Sequence, residues 1–194
     1  MLTAERTALN LLCHLSGVAT ATAQWVDAIA GTTAIIRDTR KTTPGLRALE
    51  KYAVRCGGGQ NHRMSLSDAA LVKDNHIVAA GGVAEAFEKV RELAATLPIE
   101  IEVDTLDQLA VAIQAGADVV LLDNMAPAVM SEAVLIAQRH EAATGHAVLL
   151  EASGGLTLSN AKDVAVTGVH FISVGGLTHS SPILDVGLDL QTII

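Results

Sequence analysis

The apolar positions of the chain fall into two spacings. Residues 3 to 30 form an Ala- and Leu-rich stretch that predicts a helix, with a bend at Ser16–Gly17 and a stop at Gly31. A two-beat pattern then repeats. Short β-rich runs occur at residues 32–39 (TTAIIRDT), 69–77 (AALVKDNHI), 99–104 (IEIEVD), 118–124 (DVVLLDN), 147–154 (AVLLEASG) and 170–176 (HFISVGG). Helical spacing fills the intervals at 45–56, 83–97, 105–116, 127–144 and 159–168. Six strands alternating with five helices imply βαβ units and a parallel sheet. The tail PILDVGLDL, 182–190, offers a seventh short strand. No linker or low-complexity segment interrupts the pattern, so residues 1–194 read as one α/β domain.

Polar residues gather at the C-terminal ends of these strands. Arg40 and Lys41 follow the first, and Lys73 and Asp74 come late in the second. Glu102 and Asp104 close the third, and Asp123 and Asn124 the fourth. Ser153, Gly154 and Gly155 follow the fifth, Gly175 and Gly176 the sixth. In a parallel sheet all these ends share one face, the active-site face of a (β/α) barrel or the crevice of an open sheet. Because all six ends carry such residues, a barrel is expected.

Composition narrows the function classes. Half of the residues are hydrophobic, enough for a sizeable core, yet no apolar run approaches the roughly 20 residues of a membrane span. The first ten residues lack the basic and apolar regions of a secretory leader. Two cysteines, Cys13 and Cys56, are too few for a disulfide framework; both read as small core residues, and they suit the cytoplasm. A formal charge of −8 and 2% aromatics argue against a nucleic-acid partner. That charge is uneven. Residues 37 to 73 hold eight of the thirteen Lys and Arg residues against three acids, so this segment is +5 and the remainder −13. A positive island in a negative protein suits a small anionic ligand. Within it, Lys51 and Arg55 read as a solvated helix face beside Glu50, whereas Arg40, Lys41, Arg63 and Lys73 lie beside apolar runs or glycines.

The glycine pairs of EASGGL and SVGGLTHS stand directly after strands, where peptide N–H groups can cradle a phosphate. CGGGQNHR, residues 56–63, reads as a flexible loop able to carry His62 and Arg63 over a ligand. Glu102 and Asp123 end adjacent strands, a placement that suits Mg²⁺ or a cationic transition state. His62, His76 and His179 fall on the loop face, while His14, His140, His146 and His170 read as structural. No zinc spacing, Walker A loop, G-x-S-x-G elbow or post-strand G-x-G-x-x-G occurs. These residues point to a phosphosugar meeting a second, carboxylated substrate.

The stretch DTRKTTPGLRALEKYAVRCGGGQNHRMSLSDAALVKDNHI resembles the signature region of the quinolinate phosphoribosyltransferase family. ERTALNLLCHLSGVAT, EIEVDTLDQL, VVLLDNM, LEASGGL and ISVGGLTHS are similar to that family's other blocks, in the same order. The resemblance implies an incomplete TIM-like (β/α) barrel of six to seven parallel strands preceded by a helix. It implies an enzyme that makes nicotinate mononucleotide, carbon dioxide and pyrophosphate from quinolinate and phosphoribosyl pyrophosphate, with Mg²⁺, on the route to NAD. By motif, Arg40, His62, Arg63 and Lys73 would bind quinolinate, with Thr39 and Lys41 beside them. Arg6 would help across the interface of a homodimer or higher homo-oligomer. Lys41, Lys73, Glu102 and Asp123 would carry the chemistry, the two carboxylates also facing Mg²⁺. Ser153, Gly154, Gly155, Gly175, Gly176 and Leu177 would hold the 5′-phosphate. Family members carry an α+β sandwich domain before ERTALN that this sequence lacks. The expectation is this phosphoribosyltransferase, in whole or as its catalytic half, with a barrel that binds or dimerises without turnover, or a transferase for a related pyridine acid, as alternatives.

Overall fold

The computed structural model describes residues 2–94 and 96–189. Helix α1 (Leu2–Ala28) is followed by β1 (Ile35–Arg37), α2 (Arg47–Cys56), β2 (Ala70–Val72), α3 (Asp74–Ala80) and α4 (Val83–Leu93). Then come β3 (Ile99–Val103), α5 (Leu106–Gln114), β4 (Val119–Asp123), α6 (Pro127–Thr144), β5 (Leu149–Ser153), α7 (Ala161–Ala165), β6 (Phe171–Ser173) and α8 (Gly176–His179). The strands form one parallel sheet in the order β1-β6-β5-β4-β3-β2. That is the order around a (β/α) barrel opened between β1 and β2, matching the incomplete barrel expected. The seam is partly filled by Gln60, which forms a parallel bridge with Arg37.

Local chemistry sets the helix ends. Thr105 and Gln108 form a capping box at the start of α5, each satisfying a backbone N–H of the other. Pro127 opens α6 and Gly145 closes it in the left-handed conformation.

The strands alternate sharply. Ile36, Val72, Ile101, Val103, Val120, Leu122, Leu150, Ala152 and Ile172 are all buried and belong to the main core, between sheet and helices. Their neighbours two residues apart, Glu100 and Glu102, Leu121 and Asp123, Glu151 and Ser153, face the other way, into the barrel. Each buried Leu or Ile contributes about 1.5–3 kcal/mol relative to exposure, so the apolar layer outside the barrel holds the sheet and frees its interior for polar side chains.

Several expectations need correction. Helix α1 runs through Ser16–Gly17 without interruption. A Cβ on Gly17 would stand 2.1 Å from Pro182 O, so this glycine makes room for the tail that crosses the helix. The tail forms no strand over its described residues, 182–189; it packs along α1, with Leu184 N donating to Cys13 O. β2 ends at Val72, and Asp74 begins a helix where a strand to residue 77 was expected. Helix α8 was not foreseen. Cys13 is buried as expected, but Cys56 is exposed. Gly57 and Gly59 do not form a mobile ligand loop: a Cβ on either would collide with α1, at Ala19 O (2.4 Å) or Thr22 Cγ2 (2.8 Å). Most telling, Lys51 is fully buried rather than solvated. No helix among the described residues is long and apolar enough to cross a membrane.

Candidate active site

A cavity of about 770 Å³ opens at the C-terminal ends of the strands. Its lining includes Thr39, Arg40 and Lys41 after β1, His62 and Arg63 before β2, and Lys73 after it. Glu102 from β3, Asp123 from β4, and Ser153, Gly154 and Gly155 from the end of β5 complete one side; Gly175, Gly176 and Leu177 after β6 complete the other. Fourteen of the fifteen residues singled out from the sequence therefore meet in one place. Arg6 does not: it stands on the exposed surface of α1, outside this cavity. His179 also lines the cavity, but His76 lies in a neighbouring groove, its Nδ1 accepting from Lys73 N at 2.9 Å.

Of the two arginines, one is held by a backbone oxygen and the other is not. Arg63 donates from Nη1 to Ala69 O at 2.7 Å. Arg40 has a buried Nε without a hydrogen-bond partner among the described residues. Burial, and then the charge of Arg40, pull the Arg63 pKa below its ordinary value, yet a guanidinium stays charged at any physiological pH. Two guanidiniums that disfavour each other gain most from an anion placed between them. Lys73 Nζ lies 2.7 Å from Glu102 Oε2, linking a cation of one strand end to a carboxylate of the next.

The backbone around Lys41 is braced from two sides. Its N–H donates to Thr39 Oγ1 at 3.0 Å, and its carbonyl accepts from the buried Thr178 hydroxyl at 2.8 Å. Gly175 lies under the Lys41 stem, where a Cβ would meet Lys41 Cδ at 3.3 Å. Gly154 has φ +81° and a Cβ there would sit 2.4 Å from Asn124 Oδ1, so both its dihedral and its space call for glycine. Asn124 in turn donates to Asp123 Oδ2 at 2.7 Å.

His62 reaches the cavity with both ring nitrogens already engaged. Nδ1 accepts the Arg63 peptide N–H at 2.8 Å, which puts the ring proton on Nε2. Nε2 stands 2.9 Å from Glu100 Oε2 and 3.5 Å from Glu151 Oε1. His62, Glu100 and Glu151 thus cluster closely enough to suggest a metal centre. The tautomer opposes it, because a metal on Nε2 would move the proton to Nδ1, facing the Arg63 N–H. Glu151 is instead balanced by Arg37, whose Nη1 donates to Oε2 at 2.7 Å. Burial, with Glu100 as a second cause, pushes the Glu151 pKa above the ordinary carboxylate range.

The residues that could hold Mg²⁺ are Glu102 and Asp123. Both are half-buried oxygen donors lining the open cavity, and Mg²⁺ binds one or two carboxylates while keeping waters and phosphate oxygens.

Residues that escaped sequence reasoning are Asp38, Lys51, Asn61 and Thr178. Each lies beneath the cavity and holds a loop rather than facing a ligand. The only signal was positional: Asp38 and Thr178 adjoin the motifs TRK and GGL.

A family profile described as quinolinate phosphoribosyl transferase, C-terminal domain, matches residues 18–189. The nicotinate-nucleotide pyrophosphorylase (carboxylating) of Mycobacterium leprae is 56% identical over 190 residues, covering 98% of this chain and 66% of that protein. The human protein of the same name is 43% identical over 193 residues, covering 98% and 64%. Among solved structures, the nicotinate-nucleotide pyrophosphorylase of Francisella tularensis superposes with a TM-score of 0.88 at 47% identity, over 95% of this chain and 63% of the other. That of Ehrlichia chaffeensis gives 0.91 at 40% identity, over 98% and 67%. The chain spans about two thirds of the length of these relatives.

Proposed function

The chain belongs to the quinolinate phosphoribosyl transferase family, and on that premise we propose that its cavity transfers phosphoribose from phosphoribosyl pyrophosphate to the ring nitrogen of quinolinate. The products are nicotinate mononucleotide, pyrophosphate and carbon dioxide, a step toward NAD. The observation that carries the reading is the meeting of four cations, the carboxylates of Glu102 and Asp123, and two glycine turns in one cavity.

Each part has a physical task. Arg40 and Arg63 take the two ring carboxylates, for which the planar guanidinium offers paired donors, and Lys73 adds a point charge. Thr39 and the wall formed by His62 hold that end in place. The pyridine nitrogen attacks the anomeric carbon as pyrophosphate leaves, and Glu102 stabilises the positive charge that develops on the sugar. Lys41 receives the leaving pyrophosphate. Asp123 and Glu102 would hold Mg²⁺, which supplies charge neutralisation for the pyrophosphate when bound. Ser153, Gly154, Gly155, Gly175, Gly176 and Leu177 hold the 5′-phosphate through peptide N–H groups. Once the ring nitrogen is quaternary, the adjacent carboxylate departs as carbon dioxide, because the cation stabilises the electron pair left on carbon, which then takes up a proton. Arg6, exposed on α1, serves the site of a second subunit in a homodimer or larger assembly. Free Cys13 and Cys56 are in keeping with a cytoplasmic setting.

The test is Arg63→Ala. The quinolinate KM should rise by a factor corresponding to roughly 1–3 kcal/mol of charge-assisted binding, while the KM for phosphoribosyl pyrophosphate changes little. An unchanged quinolinate KM would remove Arg63 from the reading. If wild-type chain yields no nicotinate mononucleotide until the family's N-terminal domain is added back, turnover belongs to the pair rather than to the barrel.

A further inference from the structure

Asp38 is completely buried at the end of β1, two residues before Arg40. Its Oδ1 accepts from Lys51 Nζ and from the His62 peptide N–H, the latter at 2.8 Å. Its Oδ2 accepts from Asn61 Nδ2 at 2.5 Å. Lys51, fully buried on α2, also donates to the His62 carbonyl at 2.9 Å, and its own carbonyl accepts from Asn61 Nδ2 at 2.8 Å. The backbone of His62 is therefore gripped at its N–H and at its C=O, on the two peptide groups that flank it, by the two halves of one ion pair. The next residue is Arg63.

Stability alone is a poor reason for such a pair. Removing two charges from water costs several kcal/mol per ion, and apolar replacements of similar volume are often neutral or stabilising. Burial pulls the Lys51 pKa down even with Asp38 opposing the shift. What the pair does supply is geometry. It ties the strand that delivers Arg40 to the loop that delivers Arg63, across the seam where β1 and β2 do not pair.

We propose that Asp38 and Lys51 are positioning residues whose buried ion pair clamps the His62 backbone and so fixes the spacing of Arg40 and Arg63, the spacing that selects a vicinal dicarboxylate. The clamp itself rests on the hydrogen bonds above; the identity of the dicarboxylate rests on the proposed function.

The test uses the double variant Asp38→Asn/Lys51→Met, which removes both charges and leaves neither buried alone. Two quantities are read: amide hydrogen exchange at His62, and quinolinate affinity by calorimetry with phosphoribosyl pyrophosphate as reference ligand. The His62 amide should lose protection while β3–β5 keep theirs. Quinolinate Kd should rise about 10-fold with the reference Kd steady, and the rise should vanish in an Arg63→Ala background, as coupling through one residue requires. Retained protection at His62, or a loss that adds fully to that of Arg63→Ala, overturns the proposal. If the double variant does not fold, Asn61→Ala removes one arm only and should give a smaller shift confined to quinolinate; an equal loss for both ligands would again overturn it. If the wild-type chain binds no quinolinate while the double variant still loses His62 protection, the clamp is supported and the ligand assigned to it is overturned.

Discussion

Glu151 is a buried carboxyl in the cavity lining, with Arg37 on one oxygen and Glu100 as a near neighbour. Its pKa in the folded protein is raised above the ordinary value of 4.5. The folded state therefore holds this proton over a pH range in which the unfolded chain has lost it. Its contribution to stability is complete below the unfolded pKa and is lost as pH rises through the folded one. Glu151→Gln keeps the shape and the acceptor for Arg37 but cannot ionise. We expect the variant to lose less of its urea midpoint than the wild type does as pH rises above the ordinary carboxylate value. Equal losses would place the titration elsewhere. At this scale the sequence exposed the residues that face a ligand and hid those that support them. Arg40, Lys73 and Glu102 stand at strand ends, where a charge beside an apolar run is conspicuous. Lys51 stands on α2 beside Glu50, with Val54 one turn on, and that face turns inward although two of its members are charged. A hydropathy pattern reads such a face as solvent-exposed, because only the fold reveals that Asp38 waits opposite it.

The same division holds for elements. The five long helical segments and the strands lie where apolar spacing put them, since helix and strand periods differ and each must bury one side. The misreadings came from glycine and from short elements. Gly17 suggested a bend because glycine weakens helices; its function is space, and space depends on a partner 165 residues later. Gly17→Ala separates the two accounts. Alanine is favoured over glycine in a helix interior by up to about 1 kcal/mol, so without the tail the variant would be more stable. With Pro182 O only 2.1 Å from the new Cβ, and backbone rather than flexible side chain in the way, the tail must move. The variant should melt lower than wild type, and limited proteolysis should cut sooner within 181–189. Ser180, Ser181 and Pro182 line the cavity, so displaced tail should also weaken phosphoribosyl pyrophosphate binding. A higher melting temperature with intact tail would refute the packing account. Helices α3 and α8 were hidden by runs that read as strands: Asp74–Ala80 overlaps the run 69–77, and Gly176–His179 begins at the end of the run 170–176.

For the whole molecule, the positive island of residues 37–73 divides once the chain folds. Arg37 and Lys51 are consumed by Glu151 and Asp38. Arg47 bonds to Thr42 and to the Arg40 carbonyl, and Arg55 is exposed beside Tyr52. Arg40, Lys41, Arg63 and Lys73 line the cavity, Lys73 with Glu102 beside it, set in a protein whose other residues are strongly acidic. Such a field repels anions over most of the surface and draws them to one mouth. Steering of this kind acts over the Debye length, so it should fade with salt. The association rate of phosphoribosyl pyrophosphate should fall about 10-fold between roughly 0.02 M and about 0.5 M salt, with a smaller change in dissociation. Two variants that each remove one positive charge locate the source. Lys41→Gln, at the mouth, should flatten the salt dependence. Arg139→Gln, exposed on α6 and outside the cavity, should leave it as it was. If both variants flatten it equally, net charge rather than the placement of four cations governs the approach of the ligand.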